Sequence, residues 1–169
     1  MTDTPPVVAT PAVSPLWMVL ATWFGTGLSP RAPGTVGSLG SLVLWAPLVL
    51  LEAPWWVRLL AVVVVFGVGV VASDRVCAVR GEDPQIIVID EVAGMGITLL
   101  LAGPSVAVLV VGFACFRLFD IAKPWPVSWA DQKIGGGLGV MLDDALAGVY
   151  ALVLTSVVVR YALPLLGIH

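Results

Sequence analysis

Apolar runs and charged stretches alternate along this chain. A short apolar run from Leu16 to Phe24 precedes a Gly/Pro-rich loop, GTGLSPRAPGTVGS, from Gly25 to Ser38. A second run, Leu39 to Leu51, ends at Glu52, and EAPWWVR then sets Trp55 and Trp56 beside Arg58. That pairing suits an interfacial aromatic belt. A third run, Leu59 to Ala72, ends in the polar stretch Asp74 to Gln85. IIVIDEVAGMGITLLLAG follows, with Asp90 and Glu91 inside an apolar, helix-like run. Gly103-Pro104 reads as a break, and Ser105 to Phe116 is apolar again until Arg117, Asp120 and Lys123. After KPWP comes the polar, Gly-rich SWADQKIGGGLGV, whose GGGLG at 135–139 reads as a flexible linker, and the last run, Ala145 to Leu163, starts directly after Asp143 and Asp144.

The middle runs are shorter than the about 20 residues a spanning helix needs. The helices are therefore expected to extend past their flanking charges, which must then face a bundle interior or snorkel to the headgroups. Counting crossings sorts the loops. With 25–38 on side A, the tryptophan loop at 52–58 lies on side B and Asp74–Gln85 returns to side A. A hairpin turning at Gly103-Pro104 brings Arg117–Val140 back to side A. Asp143 and Asp144 are expected to open the last helix from that side. Arg31, Arg75, Arg80, Arg117, Lys123 and Lys133 then share side A, so the positive-inside rule makes it cytoplasmic. The expected fold is all-α: a multi-helix integral membrane bundle with its polar motifs converging on the cytoplasmic face.

Composition strengthens this reading. Hydrophobic residues make up 59% and charged residues 11% of the 169, against about 45–50% and about 25% in soluble domains. Lipid is the implied solvent for much of the surface. Residues 1–15 read as a flexible N-terminal tail, and 16–169 as one helical membrane domain. The only histidine is His169, which removes histidine metal sites and Ser-His-Asp triads. Cys77 and Cys115 match no zinc spacing. Basic residues are scattered, so no nucleic-acid partner is expected, and no protein partner is implied.

The candidate chemistry is acidic. Asp90 and Glu91 repel each other in apolar surroundings, and a hard cation relieves this; Mg²⁺ takes carboxylates, waters and substrate phosphate. Gly94, one turn on, leaves room for a ligand or a close helix. Asp143 and Asp144 form a second pair; either alone could be a helix cap. Acidic pairs without histidine favour magnesium or manganese over zinc. Arg117, Asp120 and Lys123 lie at i, i+3, i+6, as a salt-bridge cluster or as holders of phosphate oxygens. In the 25–38 loop, Gly34, Thr35, Gly37 and Ser38 are candidates for contacting phosphate, with Thr35 capping the next helix and Gly37 and Ser38 in its first turn. A cation-coupled transporter or channel component is the alternative, since intramembrane carboxylates and broken helices occur there too.

Four segments together resemble the bacterial phosphatidylglycerophosphatase A family: GTGLSPRAPGTVGS at 25–38, IIVIDEVAGM at 86–95, FRLFDIAKPWP at 116–126 and GGGLGVMLDDALAG at 135–148. The resemblance implies a phosphatase domain at the bacterial inner membrane that converts phosphatidylglycerophosphate to phosphatidylglycerol with Mg²⁺, its active site facing the cytoplasm. It carries the family's acidic residues onto Asp90, Glu91, Asp120, Asp143 and Asp144 and its basic ones onto Arg117 and Lys123. Metal is expected between the two acidic pairs, with Arg117 and Lys123 on the phosphate. The expected nucleophile is either metal-bound water or a carboxylate, for which Asp120 is the candidate.

Overall fold

The computed structural model describes residues 12–165, and no strand occurs among them. Helix is what lipid demands, because each backbone donor and acceptor must then be satisfied within its own segment. The order is α1 (Pro15–Ala21), a short 3₁₀ turn (Thr26–Leu28), α2 (Pro33–Leu50), α3 (Trp55–Arg80), α4 (Ile89–Thr98), α5 (Val106–Ala122), α6 (Val127–Lys133) and α7 (Gly136–Val157). A π-helical turn (Val158–Ala162) and Leu163–Leu165 continue α7. Three helices are long and apolar enough to cross a membrane: α2, α3, and α7 with its continuation. They do run past their flanking charges: α3 holds Arg58 near one end and Asp74, Arg75 and Arg80 at the other.

Between α3 and α7 lies the hairpin expected at Gly103-Pro104, with α4 ending at Thr98 and α5 starting at Val106. The carbonyls that end α4 would be orphans in an apolar surrounding. Arg58 answers them. It is buried, and its NH1 donates to the carbonyls of Ala102 at 2.7 Å and of Leu99 and Leu100 at 3.4 Å. A cation also suits the negative end of the helix dipole.

The core gathers around α4 and α7. Trp45, Val92, Met95, Leu99, Phe116, Ala147 and Ala151 form one buried group; Ala72, Val76, Ile89, Ala93 and Met141 belong to a second. Trp45 donates its indole N–H to the Val92 carbonyl at 2.8 Å, so this large ring is buried without an orphan donor. At the α4–α7 crossing two glycines let the backbones touch. A Cβ on Gly148 would sit 2.5 Å from the Gly94 carbonyl oxygen, and one on Gly94 would sit 2.7 Å from that of Asp144. Val43, Val63, Val110 and Val153 point outward from α2, α3, α5 and α7. Trp55 and Trp56 are exposed at the start of α3, where an aromatic belt belongs.

Several local expectations are corrected. Asp143 and Asp144 do not open the last helix: α7 starts at Gly136, about two turns earlier. The glycines before them are not a slack linker. Gly137 packs against the Val70 carbonyl, where a Cβ would also fall 2.6 Å from the Asp74 nitrogen. Its N–H donates to the Asp74 carboxylate, so α3 caps α7 from across the bundle. Thr35 is not a cap either. Ala32 holds that place in the left-handed region (φ 47), and Pro33 starts α2, its fixed φ being ready-made for a first turn. Of the tail expected at 1–15, residues 1–11 lie outside the described residues, while Pro15 already begins α1. Just after α1, Trp23 and Phe24 both take positive φ (43 and 55), which costs about 1–3 kcal/mol each.

Candidate active site

Four helix segments and one loop enclose an open cavity of ≈ 430 Å³ at one end of the bundle. The start of α2 contributes Pro33 and Gly34, the loop before α4 contributes Asp83 and Gln85, and α4 contributes Asp90 and Glu91. The end of α5 adds Arg117, Asp120 and Lys123, and α7 adds Asp143 and Asp144. All seven acidic and basic residues expected at the site thus line one cavity. Of the phosphate candidates only Gly34 does. Thr35 is inside the first turn of α2, and Gly37 packs on Val88, where a Cβ would lie 2.6 Å from the valine Cβ. Ser38 is buried and meets the site indirectly, accepting from Arg117 NH1 at 3.3 Å.

Asp90, Glu91 and Asp144 form the centre. Each offers a carboxylate oxygen, and the three oxygens lie within 4.8 Å of one another. The α4 first turn presents Asp90 and Glu91 where the helix dipole favours negative charge, and Asp90 Oδ1 accepts from the Glu91 N–H at 3.0 Å. Asp144 comes from α7, held close by the Gly94–Gly148 crossing one turn further into both helices. Glu91 Oε2 and Asp144 Oδ2 are buried and have no hydrogen-bond partner among the described residues. A buried carboxylate oxygen without a donor costs several kcal/mol, of order, and three carboxylates in contact add repulsion. A hard divalent cation satisfies both demands, and an all-oxygen set selects Mg²⁺-like ions over zinc. The donor set therefore fits such an ion.

Asp143 is engaged elsewhere. Its Oδ1 accepts from the Asp144 N–H at 2.9 Å and its Oδ2 from Lys123 Nζ at 2.8 Å. Lys123 ends α5 in the left-handed region (φ 41) and also bonds Asp131 on α6. Burial works against its charge, yet the hydrogen bonds to Asp131 and Asp143 outweigh it and raise the Lys123 pKa. Arg117 is the second cation. It pairs tightly with Asp120 one turn on, stands 3.9 Å from Glu91 Oε1, and keeps a buried Nε with no partner among the described residues. Gly34 makes room for this group: a Cβ there would collide with Glu91 Oε1 and approach Arg117 NH1 to 3.1 Å.

Sequence reasoning missed Asp131, which is helical and paired with Lys123. It also missed Asp74 as the α7 cap, and Asp83 and Gln85 as cavity wall. A second polar cavity of ≈ 280 Å³, lined by Glu82, Asp131 and Gln132 among others, shares Asp83 and Asp143 with the first. The RGEDPQ stretch at 80–85 was a visible signal for that wall, since three polar side chains, Glu82, Asp83 and Gln85, follow the end of α3 at Arg80.

Residues 19–159 match the family model described as Phosphatidylglycerophosphatase A. The chain belongs to the phosphatidylglycerophosphatase A family. It is 41% identical over 135 residues to the phosphatidylglycerophosphatase A of Escherichia coli (strain K12), covering 79% of this chain and 77% of that protein. It is 36% identical over 156 residues to the phosphatidylglycerophosphatase A of Haemophilus influenzae, covering 90% and 94%. A Bacteroides thetaiotaomicron protein described as a putative phosphatidylinositol-3-phosphatase is 38% identical over 146 residues, covering 83% and 91%. No solved structure matches the chain. Family membership and the three apolar helices make it a membrane hydrolase of phospholipid metabolism, a phosphoric monoester hydrolase.

Proposed function

We propose that this chain hydrolyses the terminal phosphomonoester of phosphatidylglycerophosphate, giving phosphatidylglycerol and phosphate, with Mg²⁺ and on the cytoplasmic face of a bacterial inner membrane. The observation that carries the reading is the trio Asp90, Glu91 and Asp144 with its two unpartnered buried oxygens, set against Arg117 in a cavity at the end of a membrane bundle. The names of the relatives support the substrate. Collection of the acidic residues at one end of the bundle supports a surface hydrolase over a cation-coupled transporter, whose carboxylates belong along a path through it.

Asp90, Glu91 and Asp144 would hold the ion, with Asp143 beside them, tied to Lys123. The bound ion would supply positive charge to the phosphoryl group as negative charge builds on its oxygens. Arg117 adds a planar fork that matches two phosphate oxygens, and Lys123 adds a point charge at the rim. Asp120 stands beside Arg117 at the cavity wall, and it would take the proton of an attacking water or attack phosphorus itself. The start of α2 lines the same cavity through Ala32, Pro33 and Gly34, and a helix N-terminus favours an anion. Acyl chains stay in the bilayer throughout, so only the headgroup has to reach the carboxylates.

The test is phosphate release from phosphatidylglycerophosphate by purified protein in detergent, with phosphatidic acid and phosphatidylinositol 3-phosphate as competitors. Release that stops on chelation, returns with Mg²⁺ and favours phosphatidylglycerophosphate is the expected result. Equal release from all three lipids would overturn the substrate assignment, and full release after exhaustive chelation would overturn the metal.

A further inference from the structure

Two serines one turn apart on α2 are fully buried, and they differ in what they reach. Ser38 and Ser41 are both 0% exposed. Both spend their hydroxyl proton on a helix carbonyl: Ser38 Oγ donates to Gly34 at 2.8 Å, and Ser41 Oγ donates to Ser38 at 2.6 Å. Such back-bonds satisfy a serine inside a helix. For Ser41 nothing more is needed. Ser38 goes further and accepts from Arg117 NH1 at 3.3 Å, across 79 positions of sequence. A hydroxyl has one proton and two lone pairs. With the proton fixed on Gly34, Ser38 has lone pairs left to present to the guanidinium.

Arg117 needs this handle. Its Nε is buried with no partner among the described residues, so nothing orients the group from that side. Asp120, Ser38 and Glu91 all make their closest approach through NH1, with Glu91 Oε1 at 3.9 Å. Closer than that, Arg117 would neutralise a carboxylate of the acidic trio; at the edge of ion-pair range it leaves Glu91 open. NH2 lies beside Gly34, 3.5 Å from where a Cβ would stand, and Gly34 lines the cavity. The first turns of α2 thus clear space over the guanidinium with Gly34 and hold it with Ser38. Ser38 itself is fully buried and does not line the cavity, so it does not touch substrate. We infer that Ser38 is a positioning residue for the hydrolysis: its hydroxyl holds Arg117 NH1 off Glu91, so that NH2 faces the substrate phosphate and Glu91 keeps its oxygens for the cation. This rests on the hydrolase reading above, and it adds a buried neutral group that sets where the phosphate-binding cation points.

Phosphate release and thermal unfolding of the purified protein in detergent test it. Ser38→Ala should lower kcat about tenfold. KM should stay within about twofold, since a misdirected guanidinium loses the transferring phosphoryl group rather than the lipid. Ser38→Thr keeps the hydroxyl and its back-bond and should stay within about threefold of wild type. Ser41→Ala is the control: it should change thermal stability alone, with wild-type kcat. In an Arg117→Lys background the effect of Ser38→Ala should shrink to under about twofold. Without substrate, the Mg²⁺ concentration giving half of the thermal stabilisation should rise about threefold in Ser38→Ala, as Arg117 closes on Glu91, and stay put in Ser41→Ala. If Ser38→Ala does not fold, Ser38→Cys, close in size and a weak acceptor, should show the same losses. Wild-type kcat in the variants that lack the oxygen, or an undiminished loss in the Arg117→Lys background, would overturn the role of Ser38. Wild-type protein that releases no phosphate would instead overturn the hydrolase reading.

Discussion

The two ends of α4 handle buried charge in opposite ways. At its C-terminal end Arg58 is buried, but its NH1 is shared among three backbone carbonyls at the negative pole of the helix. At its N-terminal end Asp90 and Glu91 meet Asp144, and two buried carboxylate oxygens find no donor among the described residues. The first charge is matched to the fold through NH1, although its Nε is also buried without a partner among the described residues. The other set has been assembled in excess of what the fold can match, with Arg117 and Lys123 facing six carboxylates at the cavity. A lone charge tied to helix-end carbonyls is structure, and like charges gathered unpartnered at a cavity invite a ligand.

The comparison can be broken by substitution. The largest effect is expected at the carboxylates. Glu91→Gln, Asp90→Asn and Asp144→Asn should each lower turnover per folded molecule about 10²–10³-fold. The same changes should leave thermal stability in metal-free detergent solution equal or higher, because each relieves like-charge repulsion. A variant that loses stability and keeps its turnover would make these groups structural. Next comes the crossing that sets their spacing. Gly148→Ala should cost about 1–3 kcal/mol in a detergent unfolding experiment. It should also reduce turnover, since the added methyl pushes Asp144 away from Asp90.

Arg58→Ala should show the reverse of the carboxylate pattern. Three carbonyls lose their donor in apolar surroundings, a loss of about 1–3 kcal/mol, while turnover of the molecules that remain folded stays near normal. Thermal unfolding and turnover measured side by side decide it, and normal stability would mean that the α4 end needs no cation. The smallest effect is reserved for Glu52→Gln. Glu52 is exposed in the turn between α2 and α3, remote from the cavity, and should stay within about 0.5 kcal/mol of wild type. Asp131 does not serve as such a control, because its loss frees Lys123 from one of its two partners.

What could be read in advance follows from the range of the interactions involved. Asp90-Glu91 stood out because two carboxylates in an apolar run fit no structural pattern, and Gly103-Pro104 announced the hairpin through local backbone chemistry. Arg117, Asp120 and Lys123 share a helix end, so their spacing alone placed them together. Apart from Thr35, displaced as a cap by the local chemistry of Pro33, the misreadings are tertiary. GGGLG looks like a linker until Val70 and Asp74 of α3 are beside it, when the same glycines become a packed helix start. Arg58, read as a belt residue, turns inward because α4 is too short to reach the far side and leaves carbonyls to be capped. Ser38 and Gly37 were offered to phosphate by their place in the loop. They are instead the surface on which α2 packs against Arg117 and Val88.

The most direct measurement of the central claim is a metal titration of the purified protein, followed by melting temperature and by the paramagnetic signal of Mn²⁺ in place of Mg²⁺. Wild-type protein should gain thermal stability with Mg²⁺ and bind Mn²⁺ in competition with it, and phosphate release should saturate over the same concentrations. In Asp90→Asn, Glu91→Gln and Asp144→Asn both the stabilisation and the Mn²⁺ signal should weaken by at least about tenfold in metal concentration, roughly 1.4 kcal/mol. Unchanged binding in all three variants, or release that ignores the titration, would contradict a metal centre at these carboxylates.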